Sequence, residues 1–503
     1  MTHPTSNARA LPWHIVCIMA VAMIEFLQNG MLNFAASYVM GGIGAGPEEF
    51  SYAAMAYASC AVLALSQQRR LTLALGPRRL LRLSMLSFAA GAVLCAQSHG
   101  PADFILGRAW QGFGAAAFFT GARVEVNRIA GPQRTLALVG FGQALLLGSA
   151  MGPLLGGWLL SVADWHWLCW GILPWTLMGW VAAGRFAERD ETAYQAGHAT
   201  PRALWWFAVA VLLLQFLIQQ TPYNYFGRPD ILLGLLAGLT LAVIVWLRRA
   251  RPAGVGDMWR QLARRRYLLG LVYYFVCYTM VAANSYIMPL LVQQGLGFTV
   301  PTTGVLLSIS FLAGLVCASI YALLLARGHV STLKPVMVLG MMFLAGYGLL
   351  MSGLNGEATM GRIAAILLCN GAFMTVFIMA VAQGTFGAVE PGAFSHAYQT
   401  KNIIRQLALS SAVSVSTVFI QGRNALHYNR LIERFDAGGP WLADAVRQLR
   451  TALPAIDPQS AVGLLGAELS RQTLMLSCLE FYRLEMWVGL GMALILLMQK
   501  SFR

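Results

Sequence analysis

Charge is what this sequence has least of. Asp, Glu, Lys and Arg make up only 11% of its 503 residues, and 58% are hydrophobic. A soluble domain carries about 25% charged residues, so a water-soluble globule of this composition would lack polar cover. A bilayer removes that demand, because surface facing lipid is apolar. The eight cysteines form no CxxC pair and show no metal-ligand spacing. Cys17, Cys60, Cys277, Cys317 and Cys369 fall inside apolar runs, where a free thiol packs as a small hydrophobe; no metal site is expected. No Gly-rich phosphate loop, zinc motif or nucleophile elbow occurs. Lysine is nearly absent, so the net charge of +15 is carried by arginine. Nucleic-acid binding needs a basic face on a soluble domain, and no soluble domain is visible. An apolar run begins near Pro12 after Arg9, but no small-residue cleavage site follows. It reads as a first membrane span and not as a signal peptide.

What the sequence has is long apolar runs. A span needs about 20 mostly apolar residues, and about fourteen such runs occur. They lie near 12–36, 50–67, 79–98, 102–123, 134–160, 165–186, 203–221, 230–247, 267–293, 302–326, 333–354, 361–386, 401–421 and 484–500. The expected fold class is therefore an all-α integral membrane protein. Alternate loops are basic: Arg69, Arg70, Arg78, Arg79 and Arg82; Arg123, Arg128 and Arg134; Arg185, Arg189 and Arg202; Arg248, Arg249, Arg251, Arg260 and Arg264 to Arg266; Arg327 and Lys334. The loops between, at 41–50, 98–103 and 295–303, hold no Lys or Arg. Short cytoplasmic loops are the basic ones, so both termini are expected in the cytoplasm. Residues 422–483 break the short-loop pattern, with seven Arg and with Pro440, Pro454 and Pro458. They are expected to form a small helical cap or hairpin outside the membrane.

Polar residues inside the runs are the candidates for chemistry. In the fifth run Gly148, Gly152 and Gly156 share one helix face, which allows a neighbouring helix to approach closely. Pro153 removes a backbone donor and kinks the helix, and Gly157 extends the small surface. Glu25 lies within the first run. A charged side chain at that depth costs about 2.5–3.5 kcal/mol on insertion scales, so it should face protein or a wet cavity. Burial disfavours the charged form of a carboxyl, which brings proton uptake and release within reach; a neutral structural carboxyl is the alternative. Arg108 is a permanent cation inside a run and needs a partner or water; a fixed polar brace is its alternative role. Glu485 stands beside Arg483 at the start of the last run and reads as a solvated interface residue. Gln28, Asn29, Asn33, Gln111, Gln143, Tyr278, Asn284 and Asn370 are candidates to line a cavity.

The segment from Gly148 to Gly157 resembles the antiporter motif of the major facilitator superfamily. Leu106-Gly107-Arg108-Ala109-Trp110-Gln111-Gly112-Phe113-Gly114 resembles a second motif of that family. Asp164-Trp165-His166-Trp167, with Pro174 after it, looks like the family's Trp-rich start of the sixth span. Asn402, Arg405 and Gln406 match a pattern seen in the fourteen-span drug:proton antiporters, and the EmrB/QacA-type multidrug exporters are the nearest group. The resemblance runs along essentially the whole chain.

It implies two six-helix bundles around a central cavity. One would occupy residues 1–200 and the other 267–503, with two extra spans and a basic cytoplasmic loop in 201–266. It also implies a contact between Arg108 and Glu25, and a bracing role for Asn402 and Arg405. Two departures stand out. Gln28 occupies the place where related exporters carry an Asp, with Glu25 one turn away. Leu73 stands where the loop after the second span should carry an Asp, so the arginines there read as ordinary membrane anchors.

The expected function is proton-coupled export of hydrophobic or amphipathic compounds across a bacterial inner membrane, driven by the proton gradient with no cofactor. Export of one metabolite, such as a siderophore or aromatic acid, is the alternative within the same fold. A membrane enzyme or sensor would need a catalytic cluster or a signalling domain, and neither is visible. The expected partners are a small-molecule substrate and membrane lipid. The resemblance adds a periplasmic adaptor protein and an outer-membrane channel.

Overall fold

A computed structural model describes residues 10–129, 133–188, 201–220, 228–250, 264–327, 332–387, 389, 394–433, 440–452 and 457–502. Arg9, Arg189, Arg251, Arg260, Arg434 and Pro454 lie outside these residues. Among the described residues the backbone is helical with no strand. The first half comprises α1 (Ala10–Phe34), α2 (Ala36–Ile43), α3 (Pro47–Leu75), α4 (Pro77–Ala96), α5 (Pro101–Arg128), α6 (Gln133–Val162), α7 (Trp167–Trp170) and α8 (Leu173–Ala182). Next come α9 (Pro201–Gln220) and α10 (Pro229–Ala250). The second half holds α11 (Arg265–Pro289), α12 (Val300–Ala326), α13 (Leu333–Ser352) and α14 (Met360–Phe386). It ends in α15 (Phe394–Ile432), α16 (Pro440–Ala452) and α17 (Pro458–Met498).

The described residues of the predicted spans fall largely on helices, with a break inside the one at 165–186. Among the described residues, ten helices are long and apolar enough to cross a membrane by length and composition. The others owe their shortfall to identifiable features. Helices α3 and α5 are long but more polar, and the apolar part of α9, Trp205–Gln220, is short. The predicted span at 165–186 is broken between α7 and α8, with Pro174 in the first turn of α8. Proline also opens α3, α4, α5 and α17, where its missing N–H costs no hydrogen bond.

Helix α1 packs on α6, α3 and α4 pack on α5, and α4 packs on α8. In the second half α13 packs on α14 and α17, α12 on α14, and α11 on α15. The two halves meet where α6 lies along α12 and α3 lies against α15. Helices α9 and α10 pair with each other, and α9 docks on α15. Its Gln219 donates to the Ser410 carbonyl at 2.7 Å, and Ser410 donates to Gln215 at 2.7 Å.

The glycine row of α6 works on two faces. A Cβ at Gly148 would lie 2.6 Å from the Met23 carbonyl, and one at Gly152 would lie 2.7 Å from the Gly30 Cα. This face brings the α1 and α6 backbones together. Gly157 faces the other way, toward Val300, Pro301 and Gly304 of α12. A Cβ at Gly304 would sit 2.5 Å from the Pro153 carbonyl. One short stretch thus joins α6 to its own bundle and to the opposite one.

One expectation at the helix ends is corrected and another is made specific. Arg78 is more than a membrane anchor: its Nη1 meets Glu188 at 2.5 Å and its Nε donates to the Phe186 carbonyl at 2.8 Å. Gly76 makes this junction, since its φ of +80° suits glycine and a Cβ would lie 2.1 Å from the Glu188 carbonyl. The described part of 422–483 takes the hairpin form of the expected cap or hairpin, continuous with the spans on either side. Helices α15 and α17, with 39 and 41 residues, are each roughly 60 Å long at 1.5 Å per residue. A membrane with its headgroups is about 40–45 Å thick, so both run on beyond it. Glu480 clamps the extensions together by meeting Arg423 and His427.

The α1–α6 contact is testable. Gly152→Val should lower the thermal unfolding midpoint of the detergent-solubilised protein, at a cost of about 1–3 kcal/mol for overpacking. Gly41→Ala meets nothing within 4 Å and should leave the midpoint unchanged.

Candidate functional site

Between the two halves lies a cavity of about 250 Å³. Asn29, Asn33, Arg108 and Pro153 line it from the first half, and Tyr278, Arg405 and Gln406 line it from the second. Its walls are mainly apolar, with Phe26, Leu145, Leu307 and Phe311 among them. Of its lining residues, Arg108 and Arg405 are charged, and no carboxylate lines it.

Glu25 lies just behind this wall and is 1% exposed. Its Oε1 accepts from Arg405 Nη2 at 2.9 Å and from Gln406 Nε2 at 2.9 Å. Its Oε2 has no hydrogen-bond partner among the described residues. The pair joins α1 of one bundle to α15 of the other. Arg405 also lies over the rings of Phe119 and Phe26, at 4.7 and 5.1 Å. The expected partner, Arg108, is therefore corrected to Arg405. Arg108 meets α1 one turn further along: it donates to Asn29 at 3.2 Å and to Gln111 at 2.7 Å. Its guanidinium lies 4.2 Å over the Tyr57 ring. Residues four apart stack on one helix face, so Glu25 and Asn29 divide the two arginines between them.

The other expected residues separate into groups. Asn29, Asn33 and Tyr278 line the cavity. Gln28 and Gln111 are buried but do not line it. Gln143 lies outside it and bridges to Ser319 of α12 at 2.9 Å. Asn284 and Asn370 border a second void of about 20 Å³. Asn402 donates to Thr120 of α5 at 2.8 Å, a further polar tie between the bundles. The Gln399 amide adds another by donating to the Leu65 carbonyl.

Three buried groups went unrecognised in the sequence. Lys401 is 3% exposed, and its Nζ sits 4.7 to 5.4 Å from the rings of Phe119, Tyr398, Tyr274 and Tyr278. The predicted span began at this residue, whereas α15 begins almost two turns earlier. Glu125 is buried and meets His14 at 3.2 Å. Glu485, read as a solvated interface residue, is 0% exposed. All three stand at the edges of the predicted apolar runs, where hydropathy does not separate a buried ionisable residue from a loop residue.

The sequence pattern of the Major Facilitator Superfamily matches residues 18–401. Fatty acid resistance protein FarB of Neisseria gonorrhoeae is 19% identical over 492 residues, covering 96% of this chain and 94% of that protein. A multidrug resistance protein B homolog of Mycobacterium tuberculosis is 37% identical over 121 residues, 24% of this chain and 22% of that one. A solved bacterial homologue of the human lysosomal transporter Spinster, inward-facing and unoccupied, shares the fold. Its TM-score is 0.63 at 10% identity, over 99% of this chain and 98% of that one.

The buried pair should behave as a unit. Breaking a buried ion pair from one side costs roughly 3–5 kcal/mol, whereas neutralising both partners costs much less. Arg405→Gln should therefore lower the unfolding midpoint in detergent, and adding Glu25→Gln should recover much of the loss. Additive losses would mean that the two side chains do not stabilise each other.

Proposed function

The chain belongs to the major facilitator superfamily and is a multi-pass membrane transporter, and on that premise we propose that it is a proton-coupled exporter of hydrophobic or amphipathic small molecules. The observation that carries this reading is the Glu25–Arg405 pair, which spans the two bundles beside the cavity. Transport in this architecture rocks one bundle against the other around a site near the midplane. Glu25 lies just past the middle of the Trp13–Phe34 span. A proton arriving there removes the negative half of the pair and loosens α1 from α15. Its loss restores the pair and draws the helices together. The charge on one carboxyl is thereby coupled to the spacing of the bundles. No cofactor enters this cycle.

Export over uptake is supported by the α6 motif and by the resistance named in relatives. The basic loops support a location in a bacterial inner membrane with cytoplasmic termini. The extended ends of α15 and α17, with the α16 segment, then project outward as a platform for a periplasmic adaptor and its outer-membrane channel.

A second reading, export of a single amphipathic acid, is favoured by the two guanidinium groups on a cavity wall that carries no carboxylate. In a largely apolar wall these cations suit a substrate with one anionic end.

Inverted membrane vesicles with an imposed proton gradient test the proposal, using dyes, antibiotics and alkyl carboxylates as substrates. Wild type should transport, and Glu25→Gln present at the same level should not. Equal transport by both would remove Glu25 from coupling. Under the second reading, Arg108→Gln should weaken transport of carboxylates by about tenfold or more, the scale of one charged hydrogen bond, and spare the dyes. Equal effects on both classes would dismiss it.

A further inference from the structure

We infer that Glu485 is a second proton-carrying carboxyl, housed in the C-terminal bundle and supplied with protons from the central cavity through a small hydrated void. The inference rests on the transport reading for its purpose, but its geometry is independent of Glu25.

Glu485 is fully buried, and neither carboxyl oxygen has a hydrogen-bond partner among the described residues. An unpaired carboxylate in such a place is very costly, and such a group neutralises instead. The side chains around it are polar yet incomplete. Asn284 of α11 approaches its carboxyl, yet neither polar atom of that amide completes a well-formed hydrogen bond among the described residues. Tyr347 of α13 is a neighbour whose hydroxyl approaches Tyr482 but completes no well-formed hydrogen bond among the described residues. Asn370 of α14 donates to Ser310 at 3.0 Å and leaves its Oδ1 unused. Buried polar groups are nearly always satisfied by protein or ordered water, so this many open groups in one place mark a site for water.

The void meets that need. At about 20 Å³ it is bordered by Asn284, Ser310, Tyr347 and Asn370, and about 10–15 Å³ suffices for one water. It shares Ser285, Val281, Leu307, Phe311 and Met374 with the wall of the main cavity. A route would therefore run from the main cavity past Ser285 to water held in the void by the Asn284 amide, and from that water by way of the Tyr347 hydroxyl to Glu485. Glu485 does not itself border the void. That arrangement suits relay of a proton and not ligation of a metal cation by the carboxylate.

The groups facing Glu485 leave it without a counter-ion. On its own helix Tyr482 and Cys478 lie nearby, and Tyr482 donates to the Met288 sulfur at 3.8 Å. Helix α11 adds Asn284, with Tyr286 near Cys478, and α13 adds Tyr347. Arg423 and His427 of α15 are engaged by Glu480, further out along α17. Arg483 points away and is exposed.

Infrared difference spectroscopy on the full-length protein in detergent reads the proton directly. Wild type and Glu25→Gln should both show a protonated-carboxyl band that weakens as pH rises, and Glu485→Gln should lose it. Glu485→Asp should keep a titrating band, which separates loss of the acid from misfolding. In proteoliposomes the reversal potential should shift by one proton fewer per substrate in Glu485→Gln, and Glu485→Asp should restore it. An unchanged band in Glu485→Gln would overturn the inference. So would a band that ignores pH, which marks a fixed neutral brace, or transport that follows sodium and loses that dependence in Glu485→Gln. Absence of transport in wild type would defeat the exporter reading alone, because the band is read without transport.

Discussion

A cation placed among apolar helices must find an anion, water, a carbonyl or an aromatic face, and α15 and its neighbours are arranged around that requirement. Arg108, Lys401 and Arg405 are all buried near the cavity, and Glu25 is the carboxylate that pairs with any of them. The others are held by softer means. Arg108 uses two amide oxygens and the Tyr57 ring. Lys401 uses four rings and the Asn402 oxygen. Cation–π contacts are worth about 2 kcal/mol or more when desolvated, so such a cage can hold a charge without neutralising it. The consequence is that the charge balance of the whole cluster rests on the one Glu25 carboxylate.

The glycines of α6 supply the mechanical counterpart. A polar pair can join two bundles only if the helices bearing it come within reach. Gly148 and Gly152 set α1 against α6, and Gly157 with Gly304 set α6 against α12. Backbone meets backbone at these points, so no side chain must repack if the helices tilt. Ser308 reinforces the crossing by donating to the Ala150 carbonyl at 2.7 Å. The motif read in the sequence as one close-packing face is a contact plate with two faces.

The spans were legible because apolar length is a strong signal and the bilayer enforces it. Glu25, Arg405 and the α6 glycines were legible as residues, since polar or small side chains stand out within such runs. Their pairing was not. Arg108 and Arg405 differ by one turn of α1 in the level they reach, and that offset depends on packing between helices distant in sequence. Lys401 and Glu485 were misplaced for a different reason. Each was polar, so each was taken as the edge of an apolar run. Helices α15 and α17 continue through both positions, because amphipathic and extramembrane turns carry no hydropathy signal that distinguishes them from loops. Arg78 was misread similarly: its partner Glu188 lies 110 residues away, and charge pattern alone does not show a pairing.

The two buried carboxyls sense different things. Glu25 lies roughly 18 Å along α1 from Trp13, and Glu485 roughly 20 Å along α17 from Met498, at 1.5 Å per residue. The partners of Glu25 stand on the opposite bundle, so its charge responds to any change in the gap between bundles. The polar neighbours of Glu485 stand on α11, α13 and its own helix, all within one bundle. Rocking of that bundle as a body leaves those neighbours in place, and what can change is the water in the adjoining void. Under the proposed proton coupling, a site governed by the gap and a site governed by hydration would load and unload at different points of the same motion. One fold can in this way separate the event that moves the bundles from the event that fills the cavity.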